Sequence, residues 1–123
     1  MKHYDLLIID DEQRYVDMLA KRLKLRGCAS KVGYTGNDGI SLIKQYRFHL
    51  VVLDLRLPDV YGTEVLKQIK KISPQVPVII LTGHGTEADR EECMGAGALD
   101  FIHKPLEIED LIVMLEKVKK RAV

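Results

Sequence analysis

A chain of 123 residues, 46% hydrophobic and 30% charged, has the balance of one globular domain with a core of its own, which excludes a largely disordered segment. Lys plus Arg number 19 against 18 for Asp plus Glu, and a net charge of +1 offers no polyanion-binding face, so direct contact with nucleic acid is not expected. No apolar run reaches the length of a membrane span and the N-terminus carries no signal-peptide core, so the reading is a cytoplasmic protein with residues 1–123 as one domain.

The first apolar run, Leu6-Leu7-Ile8-Ile9, predicts a buried strand that ends on acid, Asp10-Asp11-Glu12. A helix follows with Val16, Leu19, Ala20 and Leu23 on its core face, stopped at Gly27. Ala29 to Val32 is a weaker strand holding Ser30 and Lys31, which places it at a sheet edge. Turn residues from Thr35 to Gly39 open a short helix through Ile40, Ile43 and Tyr46. The run Leu50-Val51-Val52-Leu53 reads as a strand buried on both faces, and it too ends on a carboxylate, Asp54. Val65, Leu66, Ile69 and Ile72 then share one helix face. Val78 to Thr82 is the next strand. The segment from Thr86 to Met94 is helical in pattern but charged, and it should be the least firmly anchored helix. Phe101-Ile102 is a short last strand before Lys104-Pro105. Ile108, Leu111, Ile112, Leu115 and Val118 define the final helix, acidic in its first turn and basic in its last. The two cysteines, Cys28 and Cys93, have no metal or redox spacing and read as small buried or half-buried hydrophobes in a reducing compartment.

Strand and helix alternate five times, which predicts an α/β fold with a parallel sheet and helices on both faces. In such a sheet the carboxyl ends of the strands share one edge, where ligands gather. Asp10 and Asp11, Asp54, Thr82 and Lys104 all fall there. Three crowded carboxylates repel unless a cation sits among them, and an all-oxygen set with open positions suits Mg²⁺. Lys104 adds a point charge and Thr82 a hydroxyl. Together they would cradle a phosphoryl group with an Asp oxygen as nucleophile. Singly, each residue has an ordinary role: Asp11 a helix cap, Asp54 a loop carboxylate, Thr82 a strand residue, Lys104 a solvated charge. It is the combination that speaks for chemistry.

Ile9-Asp10-Asp11-Glu12, Leu53-Asp54-Leu55-Arg56-Leu57-Pro58, Leu81-Thr82-Gly83-His84-Gly85 and Gly97 through Pro105, in that order, resemble the receiver domains of bacterial two-component response regulators. The resemblance covers essentially the whole chain. It implies a CheY-like five-stranded parallel sheet of order 2-1-3-4-5 flanked by five helices. It makes Asp54 the phosphoacceptor, Asp11 a direct Mg²⁺ ligand, Asp10 a ligand acting largely through water, and the Arg56 carbonyl the remaining protein ligand. Thr82 and Lys104 would contact the phosphoryl oxygens, and Thr82 with Phe101 would form the switch. It implies a histidine kinase or phosphotransfer protein as partner, self-catalysed phosphorylation and dephosphorylation, and a phosphorylation-dependent homodimer through the face made by the Thr86–Met94 helix, the Phe101 strand and the final helix. Leu-Arg-Leu-Pro and Thr-Gly-His-Gly are similar to receivers of transcriptional activators. Asp59 and Tyr61 stand where relatives often have Gly and Asp, and Phe101 where many have Tyr.

Arg56 and His84, two residues beyond Asp54 and Thr82, are expected to flank the path of an attacking water and to modulate phosphoryl lifetime. The Lys104–Pro105 bond is expected to be cis, because Lys104 must turn back over the sheet edge while Pro105 leads into the last helix. A flavodoxin-like FMN module would need a Ser/Thr/Gly-rich phosphate loop where Asp10-Asp11-Glu12 stands. A haloacid-dehalogenase-type phosphatase would need its nucleophile on the first strand. The alternative that stays open is a phosphate-independent, receiver-like interaction module.

Overall fold

Alternating apolar runs and amphipathic segments resolve into five strands and five helices. The computed structural model describes residues 2–121. In chain order the elements are β1 (His3–Ile9), α1 (Gln13–Leu25), β2 (Ser30–Gly33), α2 (Gly36–Gln45), β3 (Arg47–Leu53), α3 (Gly62–Ile72), β4 (Val78–Thr82), α4 (Glu87–Gly95), β5 (Asp100–His103) and α5 (Ile108–Arg121). All strand pairs are parallel and the order is β2-β1-β3-β4-β5, as expected, with β2 at an edge.

The inner strands bury both faces, which splits the core in two. Leu7, Ile9, Val51, Leu53 and Ile80 face the side covered by Ile40 and Ile43 of α2, by Val65, Leu66 and Ile69 of α3, and by Cys93 of α4. Leu6, Ile8, Leu50, Val52 and Ile79 face Val16, Leu19 and Leu23 of α1 and Leu111, Leu115 and Val118 of α5. Both cysteines are buried and free.

Several expectations shift: Tyr46, expected within the second helix, is the extended residue just past α2, and β5 runs one residue beyond Phe101-Ile102 at each end. β1 and β3 begin three residues before their apolar runs, because His3 pairs with Arg47 and Tyr4 with Phe48 where one face is still half open to solvent. β2 lies one residue later than expected, through Gly33, which completes the ladder opposite Ile9. Ile72, assigned to the core face of its helix, is 38% exposed. It is the last residue of α3, where the chain turns away toward Pro74. The weakly anchored helix is as read: Cys93 is the buried residue of α4, against five in α3.

Candidate functional site

Four buried polar side chains occur among the described residues, and three of them lie at the carboxyl ends of strands: Asp10 (3% exposed), Asp54 (5%) and Thr82 (1%). A parallel register puts them there together. Ile9 pairs with Leu53, so Asp10 and Asp54 leave the sheet side by side, and Thr82 pairs with His103, which delivers Lys104 to the same edge. The Lys104–Pro105 bond is cis.

The Lys104 ammonium is the hub. It lies 2.8 Å from Asp10 Oδ2, 2.7 Å from Glu12 Oε1 and 3.1 Å from Asp54 Oδ2. The ring of Tyr15, on the first turn of α1, stands 5.0 Å from it, within cation–π reach. Burial alone would push the ammonium toward neutrality, but hydrogen bonds to Asp10 and Glu12 and the charges of Asp10 and Asp54 outweigh it and raise its pKa. Asp10 is raised as well: its burial exceeds what Lys104 and the Glu12 amide return, and Asp54 adds repulsion. The two directions are compatible, since one cation is divided among three carboxylates.

Asp10, Glu12 and Asp54 each offer an oxygen within 4.8 Å of the others, a spacing that a divalent cation can span. Asp10 and Asp54, two of the expected metal residues, are in this set. Glu12, overlooked in the sequence because it reads as one more charge at a helix start, is in it. Asp11 is exposed and outside it. The turn explains how: the Glu12 amide donates to Asp10 Oδ1 at 2.9 Å, folding residue 12 back over the edge. Arg56 is exposed, and its amide lies 3.4 Å from Asp54 Oδ1 as the loop doubles back to bridge Tyr61. α3 begins directly on this loop, which only a residue without a Cβ allows. A side chain at Gly62 would stand 2.5 Å from the Leu55 Cα and 2.6 Å from the Asp54 carbonyl.

The Thr82 hydroxyl accepts from the His84 amide at 3.4 Å, and the His84 side chain is exposed on the rim. Phe101 is buried, and its ring with the Thr82 methyl fills the place a side chain at Gly85 would need. Two loop residues that depart from the usual pattern make contacts the sequence did not reveal. Asp59 accepts from the Gly36 and Asn37 amides at 2.8 and 3.0 Å, capping α2, and Tyr61 donates to Asp89 Oδ1 at 2.9 Å, tying the Asp54 loop to the first turn of α4.

Comparisons with known proteins agree with this geometry. The chain is 34% identical over 123 residues to the transcriptional regulatory protein FixJ of Rhizobium meliloti, covering 100% of this chain and 60% of that protein. It is 33% identical over 113 residues to ZraR of Salmonella typhimurium, covering 92% of this chain and 26% of that one. It thus spans between a quarter and three fifths of these relatives. The crystal structure of a CheY-like receiver domain protein from Methanospirillum hungatei superposes with a TM-score of 0.88 at 29% identity, covering 98% of both chains. Residues 6–116 match the response regulator receiver domain, and with the sheet order and the acidic edge already in place, the chain belongs to that family.

Proposed function

We propose that this domain is a phosphorylation switch in which Asp54 takes a phosphoryl group from a histidine kinase or phosphotransfer protein. The observation that carries the reading is the buried Asp54 carboxylate, 3.1 Å from the Lys104 ammonium at the edge where Asp10 and Glu12 also converge. An Asp54 oxygen would form the new O–P bond as the donor's P–N bond breaks with its electron pair going to nitrogen. With a proton on the other ring nitrogen the donor leaves as neutral imidazole, and Asp54 becomes an acyl phosphate. Lys104 and the Thr82 hydroxyl would hold the phosphoryl oxygens.

The donor set fits Mg²⁺: carboxylates only, one side of the cluster open, and more negative charge than Lys104 neutralises. Asp10 and Asp54 would hold the ion with the Arg56 carbonyl, and Asp11, exposed at the rim, would join by turning inward. When bound, the ion would neutralise charge on the transferring group. Asp10 would keep the edge charged, and the Leu55 and Gly62 backbones would hold the loop below.

The signal would leave through the β4–α4 loop. Thr82 would exchange its contact with the His84 amide for a phosphoryl oxygen, and α4, lightly anchored, would follow. A second copy would then pair on the α4–β5–α5 face, with Glu91 and Glu92 opposite Lys117, Lys120 and Arg121, which lie outside the ion pairs of the described residues. An output domain controlling transcription, as the names of FixJ and ZraR suggest, would read that pairing in the cytoplasm; no described helix is long and apolar enough to cross a membrane.

Incubation with Mg²⁺ and a small phosphodonor should add one base-labile phosphoryl group, and Asp54→Asn should abolish it. Undiminished labelling in Asp54→Asn would overturn the assignment. No labelling of the wild type, even by a purified kinase, would point instead to a phosphate-independent interaction module.

A further inference from the structure

A lysine ammonium has three N–H donors, and that of Lys104 is surrounded by carboxylate oxygens of Asp10, Glu12 and Asp54 at 2.8, 2.7 and 3.1 Å, the last two accepting hydrogen bonds from it. The Tyr15 ring covers a further side. A phosphoryl group on Asp54 places its oxygens beyond the carboxylate, so Nζ must move outward to meet them, and one of its other contacts must give way. The two candidates are unequal. The Asp10 side chain is 4% exposed, and water cannot take the place of an ammonium released from it. The Glu12 side chain is 59% exposed, and water can replace the ammonium there.

Glu12 also holds this position against a local alternative. It is the N-cap residue of α1, yet its side chain makes no capping hydrogen bond; the carboxylate reaches across to a lysine 92 residues away. From these contacts we infer that Glu12 is a positioning residue that holds Lys104 back in the unphosphorylated domain, and that its release of the ammonium sets how strongly the domain retains a phosphoryl group on Asp54. The inference rests on the phosphoacceptor reading and deepens it. Competition is one part of the effect. Repulsion between the Glu12 carboxylate and the incoming phosphoryl charge acts with the same sign, so removing the charge should favour the phosphorylated state on both counts.

Beryllofluoride, a phosphoryl mimic that binds without chemistry, isolates the effect. Its affinity is to be measured by amide-shift titration at saturating Mg²⁺ for the wild type, Glu12→Gln, Lys104→Ala and the double variant. Glu12→Gln should bind roughly two- to fivefold more tightly, the span of a partly exposed ion pair. In the Lys104→Ala background the same change should produce a smaller gain. Glu12→Ala, with no polar group left to contact Lys104, should move in the same direction as Glu12→Gln, and thermal unfolding without ligand should change little for either. Unchanged or weaker binding in Glu12→Gln overturns the inference, and so does a gain that persists undiminished without Lys104, since that is repulsion alone. If the wild type does not bind beryllofluoride at all, it is the phosphoacceptor reading that fails.

Discussion

The two ends of the sheet handle charge in opposite ways. At the amino ends of the strands Asp5 and Lys31 are each met by complementary partners. Both Asp5 oxygens are engaged, one by the Ala29 amide at 2.8 Å and the other by Lys119 at 2.6 Å. Lys31 lies 5.2 Å from the ring centres of both Tyr4 and Tyr46, and Tyr4 meets Tyr46 edge-on at 5.2 Å and stacks near Phe48 at 6.1 Å. At the carboxyl ends Asp10, Glu12 and Asp54 share the one ammonium of Lys104. The first arrangement leaves Asp5 and Lys31 satisfied within the chain. The second is short of positive charge, which a bound cation would supply. Local electrostatic imbalance, greater at one edge than at the other, falls where the proposed phosphoryl transfer would take place.

Removing a side chain at each end should therefore act with opposite sign. Tyr4→Ala takes out the ring at the centre of the aromatic cluster and leaves Lys31 with one aromatic face. Half-buried as it is, its loss should cost about 2–3 kcal/mol in urea unfolding, below the range for a fully buried aromatic. Beryllofluoride affinity should hold at the wild-type value, since the cluster lies at the far end of the strands from Asp54. A loss of both together would mean that the two ends are coupled and the contrast is false.

Asp10→Asn should do the reverse. Burial raises the Asp10 pKa above its unfolded value despite Lys104, so at neutral pH the ionised group lowers stability, a cost that fades as pH falls through the folded pKa and is gone below the unfolded one. Asn keeps an oxygen for the Glu12 amide and removes the charge. The melting temperature at pH 7 should rise by roughly 3–6 °C, the size of a gain near 1 kcal/mol in a domain of this length. Affinity for Mg²⁺ by calorimetry should fall about 10–100-fold, as for other residues that support a metal. A lower melting temperature would mean that Lys104 fully compensates Asp10 and that the edge is not short of positive charge.

Much of this contrast was legible in the sequence and part was not, for physical reasons. Val78–Thr82 was readable to the residue because a strand buried on both faces leaves a continuous apolar run between Pro77 and Gly83. The edge residues Asp10, Asp54, Thr82 and Lys104 were readable because a parallel sheet collects strand ends regardless of side-chain detail. The partly solvated starts of β1 and β3 were missed, since His3, Tyr4, Arg47 and Phe48 carry no apolar run and owe their pairing to register. Glu12 was missed for a different reason. Its partner is distant in sequence, and an exposed glutamate at a helix start resembles any other. The one available signal was Lys104 itself, a lysine at a crowded edge with donors to fill. Tyr61 reaching Asp89 and Asp59 capping α2 are likewise contacts between loops that no local pattern encodes.

The smallest effect tests the amino end directly. Burial alone would lift the Asp5 pKa, but the Lys119 hydrogen bond, the Ala29 amide and the charges of Lys119 and His49 outweigh it and hold the carboxyl below its ordinary value. A carboxyl depressed in the folded state contributes stability that is fully present above its unfolded pKa of about 3.9 and is lost as pH falls through the folded value. Asp5→Asn should lower stability at pH 7 by no more than about 1 kcal/mol, because the Lys119 side chain is 41% exposed and the pair is screened by solvent. The deficit should narrow as pH drops below about 4, where the wild-type carboxyl takes up its proton and loses the same interaction. Urea midpoints for both proteins between pH 2.5 and pH 7 give the comparison. Converging curves at the acid end place the stabilisation in the ionised carboxyl. Parallel curves would assign it to the shape of the side chain against Ala29, and the charge pairing ascribed to this end would not hold at Asp5.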